Sequence, residues 1–207
     1  RWLRFSNIIK KTFGLLCYSI EKEGGKSMFV FAFPGMGKTT LAKKNSCVVD
    51  LEMSDIKYDN SSVQHLSKEE RKSTKRPLKD KRYKTIYVDK AYSLHEDGKV
   101  VLVALNFLVR MLVTMIVRGG VLFHIFIPHP FLKEEYRQRY ISRGNNQRFI
   151  FEVMFIWYIA LIPLYLLAKL FPYWITVTHS GETLEDYYKR ENFMEFSRKS
   201  KIAQTIS

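Results

Sequence analysis

The segment from Phe29 to Lys44, FVFAFPGMGKTTLAKK, constrains the fold more than any other part of this 207-residue chain. A short apolar, β-prone run meets a Pro-Gly-x-Gly-Lys-Thr turn and passes at once into helix-forming residues. Strand, glycine turn and helix in that order make a phosphate-binding loop. Glycines let successive backbone N–H groups turn toward one anion, and the following helix adds the positive end of its dipole. Gly35 and Gly37 supply the freedom, Lys38 the charge that reaches outer phosphates, and Thr39 a hydroxyl for Mg2+; Pro34, Met36 and Thr40 complete the stretch that would hold a nucleotide. The full pattern asks for glycine six positions before the lysine, where this chain has Ala32, a change that is tolerable if the Ala32 φ is negative. An ordinary strand-to-helix turn is the alternative, and the agreement of motif with its flanks favours the phosphate loop.

The length suits one domain with a full core and a tail at either end. Cys17 and Cys47 are too few for a disulfide framework and lack Cys or His partners at metal spacing, so a reducing, cytoplasmic setting is expected. A formal charge of +14 favours polyanionic partners, whether nucleotides, nucleic acid or acidic lipid headgroups. The five histidines, 65, 95, 124, 129 and 179, are scattered, and neither a zinc pattern nor a Ser/His/Asp or Cys/His constellation can be assembled. His124 lies in an apolar run and reads as a core residue.

Along the chain, SCVVDL at 46–51 reads as a second strand followed by acids, and 55–84 as a charged excursion over the surface. A helix is expected over 85–97, with Ile86, Ala91 and Leu94 facing inward, and a fully buried strand over 99–105. Asn106 is placed to cap a helix over 107–118; a strand over 121–128, a charged helix over 131–143, a long apolar segment over 149–171 and a strand over 174–178 follow. Strands alternating with helices imply right-handed crossovers and a parallel sheet with helices on both sides. The phosphate loop then lies at the carboxyl edge of the sheet, where open α/β sheets bind ligands. Residues 1–27 read as an extension with the alternating basic and bulky apolar residues of an amphipathic helix, Met28 stands as a candidate start, 28–190 is the domain, and 191–207 is a polar tail.

With these segments laid out, the span from Met28 to about Tyr188 resembles the nucleoside-monophosphate-kinase branch of P-loop proteins. More narrowly, it resembles the small adenylate-kinase-like ATP-binding proteins of phage and bacterial genomes. FAFPGMGKTT, VVDLEMSDIKYDN, LSKEERKSTKRPL, KVVLVAL, FHIFIP, LKEEYRQRYISRGNN and ITVTHSGETLEDYY carry the resemblance. It implies a three-layer α/β/α P-loop NTPase fold with a mostly parallel five-stranded sheet and an arginine-rich lid over about 131–148. It also implies ATP and Mg2+ as cofactors and γ-phosphate transfer to a nucleotide or other small acceptor. Lys38 and Thr39 would hold the ATP phosphates, Asp50 and Glu52 would face Mg2+ or the acceptor, and Arg137, Arg139 and Arg143 would close over the transferring group. Planar, permanently charged guanidiniums suit that task, and Arg139 and Arg143, four apart, can share a helical face. Tyr136 and Tyr140 share the same spacing and are expected to pack. The bland reading of this helix is a solvated face in which Lys133, Glu134, Glu135 and the arginines pair.

The chain departs from the family at the end of KVVLVAL, where Asn106 stands in place of an acid and Asp50 must serve alone. Nucleotide binding without transfer, or a polynucleotide-directed protein using the basic stretch 68–84, is therefore the second expectation. The third is a membrane-associated protein with a degenerate phosphate loop, attached through residues 2–20 and 153–170. The charge-free run from Val153 to Ala168 approaches the roughly 20 apolar residues a span needs. Pro163 and Pro172 are expected to break it, and the strand after it must rejoin the sheet, so a buried or membrane-surface helix is expected rather than a span. The acceptor and the oligomeric state are not legible.

Overall fold

The structure is a computed structural model that describes residues 27–66, 70, 74, 76–118 and 122–188. The amphipathic reading of residues 2–20 and the polar tail fall outside these residues. Three apolar runs form the centre of one sheet: β1 (Met28–Ala32), β3 (Val100–Ala104) and β4 (Phe123–Pro128). Such runs, apolar at consecutive positions, suit strands covered on both faces. The shorter β2 (Val48–Asp50) and β5 (Ile175–Thr178) take the two edges, in the order β2-β3-β1-β4-β5. All four pairings are parallel, which sharpens the expected mostly parallel sheet.

From β1 the chain runs through α1 (Lys38–Lys44) past β3 to the β2 edge. It returns through α2 (Met53–Lys57) and α3 (Tyr83–Glu96) to β3, crosses over β1 through α4 (Leu108–Arg118) to β4, and reaches β5 through α5 (Lys133–Ser142), α6 (Gln147–Phe155) and α7 (Trp157–Leu170). The winding direction thus reverses at β1, the switch point at which such sheets bind ligands. Right-handed crossovers put α1 on one side of the sheet and α3, α4 and α7 on the other, completing a three-layer α/β/α fold of P-loop NTPase type. Ion pairs tie each outer layer together: Lys44 to Glu185 at 2.8 Å on the α1 side, and Arg118 of α4 to Asp89 of α3 at 2.6 Å on the other.

Three local expectations are corrected. In α3 the inward residues are Tyr87, Val88, Ala91 and Tyr92, while Ile86 is exposed. The tyrosines take the core face because Tyr87 finds backbone partners at the strand ends and Tyr92 packs edge-on against Phe29. Asn106 does not cap α4 but lies exposed inside the 3-10 turn Leu105–Phe107 that leads into it. Pro163 does not break its helix; it sits inside α7, and the break falls at Ile156, where α6 and α7 bend by 45°. Pro163 and Ile159, whose carbonyl loses its intrahelical donor, both lie exposed, so water can satisfy that carbonyl. The bend instead accompanies Trp157, fully buried with its indole Nε1 donating to the Pro130 carbonyl at 2.8 Å.

Among the described residues no single helix is long and apolar enough to cross a membrane; α6 and α7 meet that test only as a bent pair.

Candidate functional site

Ala32 is the last residue of β1, paired with Ala104 on one side and Phe126 on the other. Its backbone is therefore extended, and the missing glycine of the motif costs no strain. The turn that follows uses left-handed backbone at Gly35, φ +88°, and Gly37, φ +84°. Lys38 opens α1, and its side chain folds back under the turn, Nζ donating to the carbonyls of Ala32 at 3.1 Å and Phe33 at 3.4 Å. Burial holds its pKa below the ordinary lysine value; Asp50 and Glu52 oppose that shift, and Arg143 adds to it. The lysine thus stands among two carboxylates and a guanidinium contributed by distant segments.

Thr39 Oγ1 donates to Asp50 Oδ2 at 2.6 Å, joining the first turn of α1 to the end of β2. Asp50 is held there by register: it pairs with Leu102, and the next amide, Leu51 N, donates to the Leu102 carbonyl at 3.1 Å. Tyr87 fixes the same corner from below. Its hydroxyl donates to the Leu51 carbonyl at 3.0 Å and accepts from Ala104 N at 3.3 Å, while its ring stacks on Phe107 at 4.1 Å. Burial pushes that phenol well above its ordinary pKa, so it stays protonated and keeps donating. Glu52 stands at the start of α2, half-buried. Thr40 is exposed on the first turn of α1, and Met36 is fully buried with its carbonyl accepting from Leu184 N at 3.0 Å.

The other wall is α5. Tyr136 and Tyr140 are buried against the turn, as expected, and the Tyr140 hydroxyl donates to the Pro34 carbonyl at 2.8 Å. A Cβ on Gly35 would lie 3.0 Å from the Tyr140 ring and 3.2 Å from that of Tyr136, so close seating as well as φ requires glycine. Arg143 Nη2 donates to the Gly35 carbonyl at 3.4 Å. Arg139 pairs with Glu135, lies over the Tyr136 ring at 4.7 Å and donates to the Glu182 carbonyl at 3.5 Å. Burial works to raise the Glu135 carboxyl, but hydrogen bonds from Ser180, Gly181 and Arg139 together hold it below its usual value. The anchor therefore ties α5 to the loop after β5.

Arg137 does not join this group. It pairs with Glu134 at 3.1 Å on an exposed face and lines a groove with Phe131, Phe151 and Tyr158. Helical geometry is the reason: a residue two positions from Arg139 projects about 200° away around the axis. The three arginines thus divide, two toward the loop and one away.

Tyr87, Tyr140 and Thr183 complete the site without having been assigned to it from sequence. Thr183 donates through N and Oγ1 to Asp186 Oδ2, both at 2.8 Å, capping the helical turn that begins at residue 184, and lies 3.6 Å from where a Gly37 Cβ would be. Its signal was present as Thr-x-x-Asp, a capping box variant. The basic stretch 68–84 is described at 70, 74 and 76–84. There Arg76 lies 4.6 Å over the Tyr58 ring and donates to Asn60 at 2.8 Å, so this stretch closes on the segment that follows Asp50 and Glu52.

Chemically, the loop offers backbone donors and a lysine to an anion, with the Asp50 and Glu52 carboxylates and the Thr39 hydroxyl beside it. Among the described residues no cluster of three or more His, Cys, Asp or Glu side chains forms a cation cage. Thr39 and Asp50 together suit Mg2+, which commonly takes one or two protein oxygens and completes its shell with phosphate and water.

No family model matches the chain, and no curated protein matches it. Among solved structures, the tunicamycin resistance protein of Deinococcus radiodurans is similar over 58% of this chain and 71% of that one, at 14% identity and a TM-score of 0.36. The fold assignment rests instead on the strand order and the geometry at the end of β1.

Proposed function

We propose that this chain binds ATP with Mg2+ on the Phe33–Thr40 turn and transfers the γ-phosphate to a small acceptor, a nucleotide being the first candidate. The observation that carries this reading is the 2.6 Å hydrogen bond between Thr39 and Asp50 beneath a turn with two left-handed glycines and a half-buried lysine. Phosphoryl transfer asks a protein for positioning and for positive charge around the equatorial oxygens, not for a covalent intermediate. The turn's amides and Lys38 Nζ would take the outer phosphates. Lys38 then exchanges two backbone carbonyls for phosphate oxygens, and their negative charge favours its protonated form. Thr39 and Asp50 would hold the cation, which when bound draws charge from the β- and γ-oxygens. Glu52, at the start of α2 beside the same corner, would face the acceptor. Arg143, exposed and at the Gly35 carbonyl, would be the guanidinium to reach the transferring group, with Arg139 behind it holding α5 to the loop after β5.

A second reading, nucleotide binding without efficient transfer, is favoured by Asn106, which stands where an acid after β3 would assist. One experiment separates the two: labelled ATP and Mg2+ offered with a panel of nucleoside monophosphates, nucleosides and a 5′-hydroxyl oligonucleotide, with Lys38→Ala as control. Transfer to one acceptor that is lost in the variant supports the kinase. ATP binding with no acceptor labelled supports the second reading, and no ATP binding overturns both.

A further inference from the structure

α7 is apolar on both sides. Trp157, Leu161 and Ala168 face the core, while Ile159 is 71%, Leu166 55% and Leu170 63% exposed. A helix apolar all round belongs either in a core or in contact with lipid, and this one has only half its circumference in the core. The outward stripe continues across the bend to Phe155 and Phe151, 70% and 69% exposed with their rings stacked at 6.0 Å. On the same side of the sheet, α4 exposes Val113, Ile116 and Val117. An apolar stripe exposed along two successive helices marks a contact site.

Its charges select the occupant. From Val153 to Gly181 the sequence holds no Asp or Glu, and Lys169 is its one Lys or Arg. At the rim, Lys133 lies 4.7 Å over the Tyr158 ring and Lys169 5.1 Å over that of Tyr165, and neither makes an ion pair among the described residues. The acids near this face are engaged, Glu134 by Arg137 and Glu152 by Arg148. Beside Lys133 opens a groove of about 600 Å³, floored by Met154 and walled by Phe131, Phe151 and Tyr158. Apolar stripe, aromatic margin and unpaired lysines form the pattern of an interfacial element on an acidic bilayer. A two-fold partner copy would offer this acid-poor face no unengaged carboxylate to meet Lys133 and Lys169. The 45° bend and the return of the chain to β5 exclude a straight crossing.

We propose that the outer face of α6 and α7 docks on an anionic lipid surface, with Lys133 and Lys169 meeting headgroup phosphates and Phe151, Phe155, Ile159 and Leu166 lying at the headgroup–acyl boundary, which still admits water to the Ile159 carbonyl. The proposal does not depend on the nucleotide reading. The test is flotation of the full chain with phosphatidylcholine vesicles, with or without one part in four of phosphatidylglycerol, beside the surface variant Ile159→Asp/Leu166→Asp and the charge variant Lys133→Glu/Lys169→Glu. Circular dichroism melting checks that the variants fold. Expected are co-flotation with the anionic vesicles only, weakened by high salt, at least tenfold weaker partition for the apolar variant, and loss of the anionic preference for the charge variant. Failure of the wild-type chain to float with anionic vesicles overturns the proposal. So does unchanged flotation of the folded apolar variant, which would move attachment to another segment. A wild-type dimer in sedimentation that the same substitutions dissociate, with no flotation, assigns the face to a second copy instead.

Discussion

Replacing Gly35 with alanine probes whether α5 is truly seated on the turn. Left-handed backbone costs an L-residue about 1–2 kcal/mol, offset by about 0.4–1 kcal/mol because alanine stiffens the unfolded chain. Gly98, φ +75° with nothing within 4 Å of a built Cβ, carries that backbone cost alone and serves as the internal reference. At Gly35 the new methyl also meets Tyr140 at 3.0 Å and Tyr136 at 3.2 Å. Neither ring can swing aside: Tyr140 is held to the Pro34 carbonyl, and Tyr136 is wedged between Phe33 and Trp157 at centroid distances of 6.3 and 5.4 Å. Overpacking of this kind costs about 1–3 kcal/mol. Gly35→Ala should therefore lose about 1–3 kcal/mol more than Gly98→Ala in urea unfolding without ligand, at unchanged m-value. Tyr140→Ala in the Gly35→Ala background should recover part of the difference, a coupling that a double-mutant cycle reads directly. Equal losses for the two alanine variants would refute the seating of α5 and, with it, the placement of Arg143.

Asp50→Asn should leave folding within about 1 kcal/mol, since an amide oxygen can still accept from Thr39, and should lower Mg2+-dependent turnover of labelled ATP by on the order of 10²-fold or more. Arg143→Ala should lower that turnover, whereas Arg137→Ala, on the far face of α5, should leave it unchanged; equal effects would contradict the division of the arginines. Lys38 has a folded pKa below 10.5, so between that lowered value and 10.5 the unfolded chain binds the extra proton and stability rises with pH. The difference in stability between wild type and Lys38→Met should accordingly grow in favour of wild type as pH rises through that window, as read by urea titration. His124, lowered by burial to about 3, stays neutral in the fold while the unfolded chain protonates near 6.5, so its contribution is lost as pH falls from 6.5 toward 3. The slope approaches about 1.4 kcal/mol per pH unit, and His124→Gln should flatten it.

The sheet was legible because its central strands carry an unambiguous signal. MFVFA, VVLVA and, but for His124, FHIFIP are apolar at consecutive positions over lengths that suit covered parallel strands, and the glycine turn put the candidate site at the end of β1. The edges of elements were less legible, because backbone partners decide them. α3 begins at Tyr83 and turns Tyr87 inward since that hydroxyl reaches Leu51 and Ala104, contacts made only once β2 and β3 lie side by side. Pro163 misled for a related reason: proline breaks a helix when the freed carbonyl is buried, and burial is a tertiary property.

The same distinction explains the site. Residues whose position follows from local chain geometry, Gly35, Gly37, Lys38 and Thr39, could be placed from the motif. Asp50 could be named because a strand end is also local. The arginines could not be sorted by composition; only the 100° step of a helix, anchored by knowing that Tyr136 and Tyr140 face the turn, assigns 139 and 143 inward and 137 outward. α5 is consequently an element engaged on two faces, one pressed on the glycine turn and one walling the groove beside Phe151 and Tyr158. Because its inner face is fixed by fully buried tyrosines with a hydrogen bond to Pro34, α5 has little freedom to rotate independently of the turn. A surface bound in the outer groove and a nucleotide bound at the inner one would therefore bear on the same rigid helix, and any coupling between them must run through the seating of Tyr136 and Tyr140 on Gly35.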